Sequence, residues 1–282
     1  MSNIGVIFAG GVGRRMHTKE KPKQFLEIWG KPIIVRTIEY FQENPDIDAV
    51  VVVCVEDWIP YFEKLQYQYR LDKVKKVVPG GETGQLSIYA GLCAAEELAR
   101  DNDYEISSAQ TYTGATSSAR VDRTADTTSV SSVAVAVDEP IVLIHDGVRP
   151  LITSKLLSEN IEAVKKYGNC ITSGLVQETI VEISDDNDVL LVPDRKHSRV
   201  AKAPQSFYLR DVLAAHRKAL SEDITDFIDT CTMMQHYGYR LHMIDGPHEN
   251  IKITTPEDYY IMQGILQARE NAQIYGLDEG VN

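Results

Sequence analysis

Long hydrophobic runs, paired cysteines and an excess of basic residues are all missing from this 282-residue chain, and each absence closes off a class of protein. No apolar stretch approaches the roughly 18 residues that a membrane-crossing helix requires. No basic segment followed by an apolar one opens the sequence, as a secretion signal would. The four cysteines (Cys54, Cys93, Cys170, Cys231) are scattered, without a C-x-x-C pair. That spacing speaks against a disulfide frame or a zinc site and for reduced thiols. Together these features predict a soluble, cytoplasmic protein with no membrane partner. Lys plus Arg is 29 against 41 Asp plus Glu, a formal net charge of −12. So acidic a chain lacks the broad basic face of a nucleic-acid binder. No internal repeat is present. The composition, 43% hydrophobic and 25% charged, is that of an ordinary globular chain.

What the chain does have is a regular alternation of strand-like and helix-like segments. Residues 4–8 form a short apolar run ending in glycines, the pattern of a buried parallel strand. Residues 32–44 carry Ile33, Ile34, Thr37, Ile38 and Phe41 on one helical stripe. AVVVVCV at 49–55 reads as a strand, 58–69 as a helix and 75–78 as a strand. Residues 87–100 read as a helix, and 141–144 as a strand stopping at HDGVRP. The expectation is an α/β fold with a mostly parallel sheet flanked by helices and joined by right-handed crossovers. Ligands of such sheets bind beyond the carboxyl ends of the strands. The opening glycine loop and HDGVRP both fall there, so the sequence predicts one pocket lined by two loops.

Residues 105–136 break the alternation. Thirteen of these 32 are Ser or Thr, with no apolar period. The stretch reads as a loosely folded surface insertion, bounded at 103–139, within a chain (1–282) otherwise read as a single domain.

The stretch IGVIFAGGVGRRMHTKEKPKQF, residues 4–25, sets Gly10, Gly11 and Gly13 before Arg14, Arg15, Lys19, Lys21 and Lys23. A dinucleotide fingerprint would need a third glycine where Met16 stands, and no acid closes the second strand cleanly, although Glu56 lies near. The P-loop pattern is absent too. Glycines alone can serve a tight strand-to-helix turn, and a solvated basic turn is the plain alternative. Bare backbone N–H groups beside so many cations, however, suit a polyphosphate, which gains charge neutralisation and directional donors together.

AGGVGRRM followed by KPKQF resembles the signature loop of the cytidylyltransferases that act on polyol phosphates. These enzymes make CDP-methylerythritol for isoprenoid synthesis or CDP-ribitol for teichoic acid and capsule polymers. Six further segments follow in family order: GGETGQLSIYAGL (80–92), VLIHDGVRPLI (142–152), VQETIVE (176–182), PDRKHSRVAKAPQSF (193–207), ITDFIDTCTMMQHYGY (224–239) and ENIKITTPEDY (249–259). The resemblance implies a Rossmann-like nucleotidyltransferase fold and a homodimer exchanging a projecting β-arm at 175–198. It also implies CTP and a polyol phosphate as substrates and Mg²⁺ as cofactor. A sugar-1-phosphate nucleotidyltransferase would share the sheet and glycine loop, but not the last segments in this order.

Carried over position by position, the resemblance implies these roles. Ala9, Gly10 and Gly11 pass their backbone close to base and ribose, and Gly13 and Gly81 complete the nucleotide site. Ser87 contacts cytosine; read without the family it would be a helix N-terminal cap. Arg15 and Lys23 hold the CTP phosphates, Lys252 is the second catalytic lysine, and Asp146 binds the nucleotide's Mg²⁺. Thr179 and Arg195 reach the partner's active site to hold the substrate phosphate. Arg149 is assigned to holding its loop and His145 to a structural role. In such a reaction a phosphate oxygen attacks the α-phosphate of CTP in line. The nucleophile is already an anion, so the task is to gather and neutralise charge. Gly84, Glu178 and Ala203 depart from the family pattern, the last two near the expected polyol site. VRP after the aspartate, and TIVE, are closer to the ribitol-phosphate enzymes than to the methylerythritol enzymes. The expected substrate is therefore ribitol 5-phosphate, with methylerythritol 4-phosphate as the alternative.

Overall fold

Strand β1 (Asn3–Ala9) sits near the middle of the sheet because both its faces are apolar. Ile4 and Val6 pack into one core cluster and Ile7 and Ala9 into another, on opposite sides of the sheet. The computed structural model describes residues 2–10, 21–111 and 139–275, so Gly11, Gly13 and Arg15 lie outside the described residues. In chain order there follow β2 (Glu27–Ile28), β3 (Lys31–Pro32), α1 (Ile33–Glu43), β4 (Ala49–Cys54), α2 (Ile59–Gln68), β5 (Val74–Pro79) and α3 (Gly84–Thr111). The second half comprises β6 (Ile141–Asp146), α4 (Ser154–Tyr167), β7 (Asn169–Leu175), β8 (Glu182–Ile183), β9 (Val189–Leu191), β10 (Arg199–Tyr208), α5 (Leu209–Ser221), α6 (Thr230–His236), β11 (Met243–Asp245) and α7 (Pro256–Tyr275).

The main sheet has seven strands in the order β11-β7-β10-β6-β1-β4-β5. All neighbours are parallel except β10, which runs antiparallel to both β6 and β7. The expected mostly parallel α/β sheet is therefore present, with one reversed strand that periodicity did not announce. The apolar stripe expected on 32–44 is buried on α1 as Ile33, Ile34, Thr37, Ile38 and Phe41. Among the described residues, no helix is long and apolar enough to cross a membrane.

Helix α3 differs from expectation at both ends. It starts at Gly84, three positions before Ser87, and its backbone runs on to Thr111, inside the Ser/Thr-rich stretch. Residues 112–138 of that stretch lie outside the described residues. The segment expected as an arm holds the antiparallel pair β8–β9, followed by a short 3₁₀ turn, Arg195–His197.

Candidate active site

The sheet places four strand ends along one edge. Strand order diverges around β1, with β4 and β5 to one side and β6 to the other, which is where a parallel sheet opens a crevice. One wall is backbone. The Gly80 N–H donates to the Cys54 carbonyl at 2.9 Å, so the turn after β5 is tied to the end of β4. A Cβ built on Gly10 would stand 3.2 Å from Ser87 Oγ, and one on Gly80 only 3.0 Å from the same atom. The glycines thus let two strand ends and a helix start approach within van der Waals contact, leaving exposed backbone at the crevice.

Ser87 is buried and locally satisfied. Its hydroxyl donates to the Thr83 carbonyl at 2.9 Å and accepts from the Gly81 N–H at 3.1 Å. The capping residue of α3 is Thr83, whose Oγ1 accepts from the Leu86 N–H at 3.1 Å. The reading of Ser87 as an N-terminal cap is therefore corrected: it sits one turn inside the helix, facing Gly10 and Gly80. At the other lip, the buried Gln24 Nε2 donates to the Ala9 carbonyl at 2.5 Å. That bond fixes the 3₁₀ turn Lys23–Phe25, and so Lys23, beside the end of β1.

The opposite wall carries the charge. Asp146 ends β6 and is 4% exposed. Lys252 Nζ lies 2.5 Å from its Oδ1, and Arg149 Nε donates to its Oδ2 at 2.6 Å. Burial pushes the Asp146 carboxyl up, but the Lys252 ammonium and then the Arg149 guanidinium outweigh it and hold the group at about 2. One carboxylate between two cations leaves local positive charge, an arrangement that favours an arriving phosphate.

The chain segment carrying Lys252 is pinned at several points. The Ile253 N–H donates to the Val148 carbonyl at 3.0 Å, and Arg149 Nη1 to the Asn250 carbonyl at 3.2 Å. Asn250 Nδ2 donates to the Ala203 carbonyl at 2.7 Å. Arg149 holds this loop, as its sequence position suggested. His145 is fully buried, donates from Nε2 to the Arg149 carbonyl (3.1 Å), and is driven down to about 4 chiefly by burial. Neutral and enclosed, it is a structural residue.

The structure thus brings together Asp146 with Lys252, and Gly10 with Ser87 and the Gly80–Gly81 turn. Thr179 and Arg195 sit apart, exposed on the arm segment. Arg195 Nη1 donates to the Gln177 carbonyl at 3.0 Å and lines a cleft of about 1070 Å³ between the arm and the sheet edge. Gln24, Thr83 and Asn250 were missed from sequence. Gln24 and Asn250 each act through a backbone carbonyl of a separate segment, a contact with no local sequence pattern, whereas the Thr83 cap on Leu86 is local.

A glycine-walled crevice beyond parallel strand ends, facing an ionised aspartate clasped by a lysine and an arginine, defines a nucleotide-handling α/β enzyme. The chain belongs to the IspD family of cytidylyltransferases, matching the description "2-C-methyl-D-erythritol 4-phosphate cytidylyltransferase" over residues 4–104 and 109–268. It is a nucleotidyltransferase. It is 50% identical over 98% of its length to all of a ribitol-5-phosphate cytidylyltransferase of Streptococcus agalactiae serotype V, and 46% identical over 97% of its length to all of one from Vibrio parahaemolyticus. A 2-C-methyl-D-erythritol 4-phosphate cytidylyltransferase of Clostridium novyi is 32% identical, with 94% of this chain and 96% of that protein covered. In fold, the chain matches the crystal structure of 4-diphosphocytidyl-2C-methyl-D-erythritol synthase from Anaerococcus prevotii, with a TM-score of 0.69. That match is at 23% identity and covers 94% of this chain and 96% of that one.

Proposed function

We propose that the protein transfers CMP from CTP to D-ribitol 5-phosphate, forming CDP-ribitol and releasing pyrophosphate. The observation that carries the substrate is the contrast in likeness. Proteins named for ribitol 5-phosphate are 46–50% identical along nearly the whole chain, against 32% for the methylerythritol-phosphate enzyme of Clostridium novyi. The bond that forms joins a phosphate oxygen of the polyol phosphate to the α-phosphorus of CTP; the bond that breaks frees pyrophosphate. No strong base is required, and the enzyme's work is to align two polyanions and spread their charge.

In this reading Gly10, Gly11, Gly13 and Gly81 give the nucleotide close backbone approach, with the Ala9 carbonyl held by Gln24. Ser87 contacts the base. Arg15, Lys23 and Lys252 neutralise the phosphates of CTP, and Thr179 and Arg195 hold the phosphate of the polyol. Mg²⁺ fits the residues present. Asp146 is a hard oxygen donor kept ionised, and Mg²⁺ commonly takes one or two carboxylates plus substrate phosphates and water. No group of three or more His, Cys, Asp or Glu converges as an all-protein cage among the described residues, which agrees with that mode. When bound, the ion supplies charge neutralisation to the triphosphate.

The arm supports a homodimer. Ile180, Ile183, Val189, Leu190, Leu191 and Val192 are each between 42% and 68% exposed, an apolar surface suited to cover by a second copy. Pyrophosphate release tests the assignment, with each of the four nucleoside triphosphates, Mg²⁺ and either ribitol 5-phosphate or methylerythritol 4-phosphate. CTP with ribitol 5-phosphate is expected to dominate. Preference for methylerythritol 4-phosphate, or equal use of ATP, would overturn the reading.

A further inference from the structure

The cleft between the arm and the sheet edge holds a cation for which neither the fold nor the site described so far has a use. Lys202 lies in β10, half-buried, and lines the cleft together with Arg195, Arg199, Gln177 and His248. Of the other cations that line the cleft, Lys196 is exposed to solvent and the two arginines have partners. Arg199 faces Asp245 at 3.7 Å, and Arg195 donates to the Gln177 carbonyl. Among the described residues, Lys202 Nζ meets only two backbone carbonyls, His248 at 3.3 Å and Pro247 at 3.5 Å, both long for charge-assisted bonds. Among the described residues no carboxylate pairs with it; Glu249 acts only at a distance, and Arg149 acts against it.

The ammonium is also given room at its neighbour's expense. Gly174, at the end of β7, lies under the lysine stem. A Cβ there would come within 2.6 Å of Lys202 Cε and 3.1 Å of Nζ. Burying an ammonium costs stability unless an anion or good acceptors meet it, and here burial pushes Lys202 below the usual lysine range. A side chain buried at that cost, over a glycine that keeps its path open, is set to receive something negatively charged. The cleft adjoins the reacting centre: Ile251, next to Lys252, lines it too, and Arg149, whose charge Lys202 feels, holds Asp146.

We infer that Lys202 is a substrate-binding residue that holds the phosphate of the acceptor, with Gly174 as the clearance that lets its ammonium reach. The inference rests on the proposed polyol-phosphate reaction and adds a cation to it from the strand itself, outside the arm. It predicts a split between the two substrates, because Lys202 stands on the acceptor side and not at the glycine wall that takes the nucleotide.

The test is steady-state kinetics on three variants, with equilibrium binding measured alongside. Lys202→Gln is expected to raise KM for ribitol 5-phosphate about tenfold, the usual scale for one charge-assisted contact, while KM for CTP stays within about twofold. Lys202→Arg keeps the charge and should recover most of the loss. Gly174→Ala pushes the ammonium aside and should reproduce the Lys202→Gln signature. Combined with Lys202→Gln it should add nothing further, as coupled sites do. A rise in both KM values together, or no change for ribitol 5-phosphate, overturns the inference. Titration calorimetry with inorganic phosphate separates it from the reading beneath it. Should the wild-type protein turn over no ribitol 5-phosphate yet bind phosphate in a Lys202-dependent way, the substrate falls and the anion site stands. Equal phosphate binding by wild type and Lys202→Gln removes the anion site whatever the turnover.

Discussion

Asp146 shows how much one residue can carry. It is buried, yet two cations keep it ionised to about pH 2, below the ordinary carboxylate value of 3.8. Because its folded-state pKa is depressed, the stability it contributes is present above about pH 4 and is lost as pH falls towards 2. By linkage the loss is about 2 kcal/mol. Asp146→Asn should flatten that part of the acid-stability curve, read as urea midpoints from pH 5 to pH 2. At neutral pH the variant leaves Lys252 and Arg149 without a counter-charge and should be less stable by a few kcal/mol. Turnover should fall by about 100-fold or more if the carboxylate holds the metal. A variant with full activity would remove Asp146 from the site; an unchanged acid limb would remove the ion pair. Asp146 was legible in sequence because a lone HD at a strand end invites the question and the family motif answers it. Its grip by Lys252 was not, since 106 positions separate the two.

At the scale of elements, strands β1, β4, β5 and β6 and helices α1 and α2 were legible because their burial dictates their patterns. AVVVVC is buried at every position, and α1 shows one apolar stripe. The start of α3 was less so. A glycine opens it, and Thr83, which caps it, has an ordinary sequence context in GGETGQ. Its far end was hidden because Ser and Thr carry no helical period even when the backbone is helical. The reversal of β10 was also hidden, because direction within a sheet leaves no mark on composition. Two glycines near this helix start should respond oppositely to the same change. A Cβ at Gly84 meets open space, so Gly84→Ala should stabilise the protein by about 0.5–1 kcal/mol through helix propensity and unfolded-state entropy, with activity unchanged. A Cβ at Gly10 presses on Ser87 Oγ, so Gly10→Ala should raise KM for CTP about tenfold on the scale of one lost close contact, at small cost in thermal midpoint. Equal effects of the two substitutions would mean that the glycine wall does not hold the nucleotide.

For the whole molecule, the question is whether one chain makes a complete site. Thr179 and Arg195 ride on a segment whose apolar side chains face outward, whereas Lys23 is tied through Gln24 to the end of β1. If the arm packs on a second copy, Arg195 serves the partner's crevice and Lys23 serves its own. Chains carrying Arg195→Ala and chains carrying Lys23→Ala would each be inactive as homodimers. A heterodimer of the two has one crevice with both residues intact and one with neither. Random pairing makes about half of the molecules heterodimers, so roughly a quarter of all crevices should work, by two-fold symmetry. Subunits must be mixed by co-expression or joint refolding, with separate tags to show that heterodimers form. The expected result is recovery of about a quarter of wild-type activity in the mixture, and about half in purified heterodimers. Heterodimers without activity would place both residues in one chain's site, and the exposed arm would then need another explanation.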